Sequence, residues 1–208
     1  MRFGASSEKW KTVPRAGLTR LRVIDEAEQI VDEVGLSRLT LAVLAQRLGV
    51  RQPSIYKHLA SVDDLQRSMA LRAKQDLADT LVRATVGRSR SDAIMSMAWA
   101  YRRWALEHPG RYTLTQRPFT SEDIEGMAAD LAVVEIVAAV LIGYDLRKDD
   151  ATDAIRALRA ALHGFVVLEI GGGFGLPADI DRSFERLIAG IEMALPRWSE
   201  GLNSPSRA

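Results

Sequence analysis

The sequence contains no cysteine and only three histidines among its 208 residues. The absence of thiols excludes a disulfide scaffold and thiolate chemistry, and it is typical of a reducing compartment. The three histidines stand far apart, so none has metal-ligand spacing. We therefore predict neither a metal nor a cofactor.

A long uncharged apolar run is also missing. The longest strongly apolar stretch, residues 131–143, contains Glu135, and the first twenty residues lack the apolar core of a signal peptide. A stretch of this length and charge is not expected to span a bilayer. We therefore expect a cytoplasmic protein with no membrane partner.

Proline is scarce, with seven residues in total and none in residues 54–108 or 119–176. Apolar residues recur there every three or four positions, which is the period of amphipathic helices. The pattern predicts an all-α fold with a mobile tail at each end, residues 1–16 and 201–208. It predicts a loop with at most one short helix at 108–120, and helices at about 18–34, 40–47, 52–59, 62–86, 92–107, 122–146, 149–171 and 179–197.

The charge is unevenly distributed, although the net charge is only +1. Residues 1–90 hold 16 Lys and Arg against 10 Asp and Glu, whereas residues 91–208 hold 12 against 17. A basic N-terminal part on an acidic body indicates a polyanionic partner at one end, although an ordinary solvated surface gives the same balance.

The segment from Thr40 to Leu59 has the residue spacing of a helix-turn-helix. Ala45 is small where two helices would cross, and Gly49 follows where the turn needs a positive φ. Ile55 would then fill the space between the helices. By spacing alone, an ordinary helical hairpin remains an alternative.

The second helix of this segment carries hydrogen-bond donors and no acidic residue. Arginine and lysine engage phosphates or guanine, glutamine pairs with adenine in the major groove, and hydroxyl groups suit phosphate oxygens. This composition favours a DNA-reading helix over a solvated one. Its polar residues are Arg51, Gln52, Ser54, Tyr56, Lys57 and His58.

Residues 18–65 resemble the DNA-binding domain of the TetR family of bacterial transcriptional regulators. The resemblance rests on the runs Glu33 to Leu36, Leu44 to Val50 and Pro53 to His58, and on Thr40. It implies that Thr40 and Tyr56 contact phosphates and that Lys57 and His58 contact phosphates or nearby bases. It places three further residues in the groove, namely Arg51, Gln52 and Ser54.

One position departs from the family pattern. Val62 stands where the family usually has a lysine at the start of the fourth helix, so one phosphate contact is expected to be lost. The basic tail residues Lys9, Lys11 and Arg15 would compensate if they entered the minor groove, but a plain disordered tail has the same composition.

The resemblance divides the chain into a DNA-binding domain at 1–61 and a ligand-binding and dimerisation domain at 62–208. Residues 158–188 resemble a C-terminal subgroup marked by a Trp-His-Gly triplet, here Leu162-His163-Gly164. The helices at about 149–171 and 179–197 would form a four-helix bundle with a second copy, unless their apolar stripes are internal core. The stripes are Ile155, Leu158, Leu162, Phe165, Val166 and Ile170, and Phe184, Leu187, Ile188, Ile191 and Leu195.

The helix at 92–107 is apolar on nearly all sides and is expected to be central. Trp99 and Arg103 are four residues apart and share one side of it. If that side faces a cavity, the effector is a largely apolar molecule with one acidic or carbonyl group. Plain core is the alternative for these residues. The predicted ligand-binding residues are Met95, Trp99, Arg103, Tyr112, Phe119 and His163.

The sequence does not predict an enzyme, because no nucleophile elbow, phosphate-binding loop or paired catalytic set is present. We expect a homodimeric transcriptional regulator, a repressor that leaves a palindromic operator when a small molecule binds. The alternative is a DNA-binding protein without an effector, either constitutive or architectural. A screen for small molecules that raise the melting temperature separates the two.

Overall fold

A computed structural model describes residues 17–198 of the chain. This range is helical and contains no β-strand, which confirms the predicted all-α fold. The tails predicted to be mobile, with Lys9, Lys11 and Arg15, lie outside the described residues. The helices are α1 Arg20–Val34, α2 Leu41–Leu48, α3 Gln52–Ile55, α4 Val62–Thr85, α5 Arg90–Glu107, α6 Pro109–Thr115, α7 Ile124–Leu141, α8 Lys148–Ile170 and α9 Ile180–Trp198, with 3-10 turns at Leu36–Arg38 and Ile142–Tyr144.

The predicted helix limits agree with these bounds to within a few residues, with one difference. Helix α3 has a single turn, Gln52–Ile55, and residues 56–58 continue it as a turn rather than as helix. Within the segment 108–120, the one short helix that the sequence allowed is present as α6, with a proline at its start.

Residues 20–59, which we call the head, form a small unit with a closed apolar core. Helices α1 and α2 are capped at their N-termini by Thr19 and Thr40, whose hydroxyl oxygens accept hydrogen bonds from the backbone N–H groups three residues later. Gly49 adopts the left-handed conformation, with φ of 67°, in the turn between α2 and α3. The core of the head includes Val23, Ala27, Ile30, Leu44, Ala45, Ile55 and Leu59.

Residues 62–198, the body, pack around α5. This helix contacts α4, α6, α7, α8 and α9, which confirms its predicted central position. Arg102 is buried within the body, where its guanidinium pairs with Glu169 and Asp181 at 2.6 and 2.7 Å. The same guanidinium lies over the rings of Trp99 and Phe184, so Arg102 ties α5 to both α8 and α9.

Helix α4 packs into the apolar cores of both units. Leu65 and Met69 in its first half pack into the head core, whereas Leu77 and Leu81 in its second half pack into the body core. The two apolar clusters therefore meet inside a continuous helix, and the boundary between residues 61 and 62 stays a prediction.

Helix α6 makes the second connection between head and body. It lies so close to α1 that a Cβ atom at Gly110 would overlap the carbonyl oxygen of Val31. Asp32 of α1 accepts hydrogen bonds from the backbone N–H and the Nε of Arg111, at 2.8 and 2.6 Å. Leu114 completes the contact by packing into the head core.

The apolar stripes predicted as the dimer interface are mostly interior, so that assignment of residues was wrong. Leu158, Leu162 and Val166 of α8 and Phe184, Ile188 and Leu195 of α9 are at most 3% exposed within one chain. These side chains belong to the body core around α5. Ile170 of the predicted stripe is exposed, and the other exposed apolar residues of the two helices include Val167, Leu168 and Met193.

The segment Ile124–Tyr144, which contains α7, is apolar and long enough to cross a membrane by length and composition alone. A core helix of a soluble protein satisfies the same criterion, so the evidence for a span is weak. Val137, Val140 and Leu141 of this segment belong to the body core, and 28% of its apolar window is buried.

Candidate functional site

Helix α3 and the turn after it form an exposed surface of the head. Buried Ile55 anchors α3 to the core, while the Tyr56 side chain is 57% exposed. Within residues 17–198, no side chain of the predicted DNA-reading set on this surface forms a hydrogen bond or an ion pair with another described residue. Their donors are therefore available to a partner, and the set is Arg51, Gln52, Ser54, Tyr56, Lys57 and His58.

The position of this surface is fixed by Arg20 at the start of α1. Its guanidinium donates to the carbonyl oxygen of His58 at 3.0 Å, to both carboxylate oxygens of Asp64 at 2.7 and 2.9 Å, and to the hydroxyl of Ser68. The same guanidinium holds the pKa of the Asp64 carboxyl at about 2. The turn after α3 is thereby held against both α1 and α4.

Two further positions bear on phosphate binding. The Thr40 hydroxyl oxygen accepts from the Val43 N–H at 3.2 Å, which leaves the hydroxyl proton free to donate to a phosphate. Val62 is the first residue of α4 and its side chain is exposed. The residues that follow it, Asp63 and Asp64, are acidic, so the start of α4 offers no cation of its own.

The body contains a cavity of about 360 Å³ between α4, α5, α7, α8 and the segment after α6. This volume lies at the lower end of the range for small-molecule sites, about 300–1,000 Å³. Its walls are mainly apolar, with a few polar groups at the edges. The lining includes Lys74, Leu77, Leu81, Met97, Tyr101, Arg117, Asp130, Val137, Leu158, Arg159 and Leu162.

None of the six residues predicted to bind the ligand lines this cavity. Trp99 packs edge-on against Phe184 of α9, with ring centroids 5.2 Å apart, and Met95 packs into the body core. The residues of α5 that do line it are Met97 and Tyr101. A step of two residues along a helix turns the side-chain direction by about 200°. Met95 and Trp99 each stand two residues before Met97 and Tyr101, so they face the opposite side of α5.

The other four predicted residues lie around the cavity or away from it. Tyr112 and His163 stand one layer behind it, since the Tyr112 hydroxyl bonds to the Tyr101 hydroxyl at 2.8 Å and to His163 Nδ1 at 2.6 Å. Phe119 packs on the head core with the Lys74 ammonium over its ring. Arg103 lines an open, more polar cleft between α4 and α5.

The cavity residues that sequence reasoning missed are charged ones on three helices. Lys74 of α4, Asp130 of α7 and Arg159 of α8 each look like an ordinary surface residue in the sequence. Only Lys74 could have been identified from the sequence, because it interrupts an otherwise apolar face of α4. In the structure it is buried. The convergence of the three helices is not visible in any local pattern.

A helix-turn-helix head with an unengaged polar surface, joined to a helical body with a cavity, defines a class of DNA-binding regulators. A family model described as the Tetracyclin repressor-like C-terminal domain matches residues 94–191. An uncharacterised HTH-type transcriptional regulator of Mycobacterium tuberculosis is 39% identical over 188 residues, covering 88% of this chain and 86% of that protein. Another from Bacillus subtilis is 31% identical over 167 residues, covering 80% and 87%.

The fold agrees with these matches. A TetR variant from Acinetobacter baumannii, solved in complex with minocycline, has a TM-score of 0.66 at 20% identity and covers 89% of this chain and 100% of that chain. The chain belongs to the TetR family of HTH-type transcriptional regulators, which confirms the resemblance in its sequence. It is a DNA-binding regulator of transcription and not an enzyme. Its place in the Trp-His-Gly subgroup stays a prediction.

Proposed function

We propose that the protein binds a palindromic operator as a homodimer and represses transcription there until a small molecule enters the cavity. The observation that carries the proposal is the exposed set of donors on α3 and its turn, which no acidic residue of the same segment neutralises. The proposal places the protein in the cytoplasm, where DNA is available.

The DNA contacts follow from the chemistry of the exposed residues. Arg51, Gln52 and Ser54 would enter the major groove, where Gln52 would pair with an adenine edge. Thr40, Tyr56, Lys57 and His58 would hold phosphates or nearby bases, as the family resemblance implies.

The proposed dimer uses the exposed faces of α8 and α9. Val167, Leu168 and Met193 are 47%, 51% and 68% exposed, which leaves apolar surface that a second copy would cover. A two-fold pair of heads would then meet the two halves of an inverted repeat.

The proposed regulation uses the two connections between head and body. The cavity is lined by Lys74 and Leu77 of α4 and by Thr115 at the end of α6, and both helices also pack into the head. A ligand that prefers one arrangement of these helices would shift the population of heads that fit the operator. The cavity supports this reading over an effector-independent DNA-binding protein.

The experiment compares Gln52→Ala and Lys57→Ala in titrations with a selected duplex and a random duplex at several salt concentrations. Gln52→Ala is expected to cost about 1–3 kcal/mol on the selected duplex and little on the random one, because a base contact is lost. Lys57→Ala is expected to lower the affinity for both duplexes. It is also expected to make binding less dependent on salt, by about the contribution of one phosphate contact.

The matched control is Gln75→Ala, which removes an exposed glutamine of α4 in the body. It is expected to leave both affinities unchanged. Equal losses on both duplexes for Gln52→Ala would contradict a base-reading role for that side chain.

A further inference from the structure

The cavity lining contains three cations and one carboxylate, and their pairing leaves one positive charge over. Lys74 pairs with Asp130 and donates to the carbonyl oxygen of Arg117 at 2.7 Å. Arg117 pairs with Asp63 at 2.6 Å. Among residues 17–198, Arg159 has no carboxylate or hydrogen-bond partner. It is an exposed residue at the edge of the cavity, so water solvates its guanidinium, which is free to meet a ligand there.

A chain of hydroxyl groups ends near that charge. Tyr101 lines the cavity, and its hydroxyl is linked through the Tyr112 hydroxyl to Nδ1 of His163. Burial raises the pKa of both tyrosines, so both hydroxyls keep their protons at neutral pH. Arg159 lines the same cavity as Tyr101, and its positive charge offsets part of this rise in the pKa of both hydroxyls.

Each tyrosine has one proton to donate, so the hydrogen bonds that link Tyr101, Tyr112 and His163 can be donated in either of two directions. If His163 donates from Nδ1, then Tyr112 donates to Tyr101 and the Tyr101 proton is free for the cavity. If His163 accepts, the Tyr101 proton points to Tyr112 instead. A ligand with an acceptor group at Tyr101 would select the first direction.

We propose that the cavity binds an organic monoanion with an apolar body, whose carboxylate lies between the Arg159 guanidinium and the Tyr101 hydroxyl. The proposal rests on the cavity being the effector site of the proposed function. The apolar part of the ligand would lie along Leu77, Leu81 and Val137. One unpaired cation at the cavity edge can match one negative charge and not several, which disfavours polyanions. Asp130 is already neutralised by Lys74, which disfavours cationic ligands.

The ligand chemistry agrees with the class expected from the sequence, an apolar molecule with one acidic or carbonyl group, but different residues recognise it. Arg103 lies in the open cleft on the far side of α4 and α5, where a ligand would keep most of its apolar surface in water. Arg159 combines the same charge with walls that bury an apolar chain.

The test measures calorimetric binding of decanoate and 1-decanol to the full-length protein. Decanoate is expected to bind about 10- to 100-fold more tightly than the alcohol, the range for one charge-assisted hydrogen bond. Arg159→Ala is expected to remove this preference while leaving the affinity for 1-decanol unchanged, and Arg159→Lys to restore part of it. Tyr101→Phe is expected to lower decanoate affinity alone.

Two matched controls separate Arg159 from general charge effects. Arg156→Ala removes an exposed arginine three residues earlier on α8 that lies outside the lining, and Arg103→Ala removes the arginine of the open cleft. Both are expected to keep the preference for decanoate. The proposal is overturned if the alcohol binds as well as the acid, if decanoate does not bind, or if Arg159→Ala keeps the preference.

DNA titrations with and without decanoate distinguish this inference from the proposed function. Binding that depends on Arg159 without any change in DNA affinity would support the anion site and contradict its regulatory role. Loss of DNA binding by Gln52→Ala together with no decanoate binding would leave the operator proposal intact and overturn the anion site.

Discussion

The head and the body differ in where their polar side chains lie relative to the apolar core. In the head, a closed core around Leu44 and Ile55 supports donors that all point outward from α3 and its turn. In the body, helices leave a hollow between them, and the polar groups of Tyr101 and Arg159 stand at its edge. A convex site of the first kind depends on a few adjacent residues, whereas a concave site of the second kind depends on the relative placement of five segments.

The largest expected effect on stability comes from placing a charge at an interior apolar residue of the body, compared with an exposed one on the same helix. Ile188→Glu buries an unpaired carboxylate in the body core and is expected to cost more than about 4 kcal/mol and to unfold the chain. Met193→Glu changes an exposed residue of the same helix and is expected to leave the fold intact while converting dimers to monomers. Circular dichroism and sedimentation velocity report the two effects.

A Met193→Glu protein that remains dimeric would show that the copies meet through another surface. An Ile188→Glu protein that melts normally would contradict the interior position of that side chain.

An intermediate effect is expected at the connection between the two units. Gly110→Ala forces a methyl group into the backbone of α1 at Val31, and overpacking of this kind costs about 1–3 kcal/mol. The variant is expected to melt at lower temperature and to bind DNA more weakly, because α6 no longer holds the head in place. Thermal melts beside DNA titrations measure both.

The control for this variant is Gly175→Ala, where an added Cβ meets no atom within 4 Å. Its stability is expected to change by less than about 0.5 kcal/mol. If Gly110→Ala behaves in the same way, the close packing of α6 on α1 is not needed for the connection.

The smallest expected effect concerns Glu28, a carboxyl group of α1 buried near Arg72 and Arg111. Burial raises its pKa above the ordinary value of 4.5, and its Oε1 has no hydrogen-bond partner among residues 17–198. The folded state therefore binds more protons than the unfolded state between the two pKa values, and stability falls as pH rises through that range.

Glu28→Gln removes this charge and is expected to raise the free energy of unfolding by about 1 kcal/mol at pH 7. The reason is that burial destabilises the carboxylate by more than Arg72, 3.3 Å away, stabilises it. The gain is expected to disappear below pH 4.5. Urea unfolding at several pH values measures it, with the exposed Glu107→Gln as the control. A gain of equal size at all pH values would assign the effect to packing rather than to the charge.

Periodicity and proline placement predicted most of the helices, because helix formation is read from neighbours three and four residues apart. The head was predictable to the level of single residues for the same reason. Thr40, Gly49 and Ile55 lie within one short segment. In the structure they are a helix cap, a turn residue with a left-handed conformation and a core residue.

The body was predictable only as a set of helices. Helices α5 and α7 are apolar on more than one face, and which face meets the core, the cavity or a second copy depends on distant segments. Trp99 and Tyr101 are two residues apart on α5, yet one packs on α9 and the other lines the cavity.

The sequence by itself therefore determined the all-α class, the helix-turn-helix and the chemistry of its exposed donors, since these depend on local spacing and residue type. Tertiary structure alone decided which arginine stands at the cavity and which apolar stripe is interior. Arg103 and Arg159 are equivalent as residue types, and only the packing of α8 against α5 and α7 puts Arg159 beside the apolar lining of the cavity. The physical reason is that a cavity is the space left between segments far apart in the chain, so no local pattern encodes it.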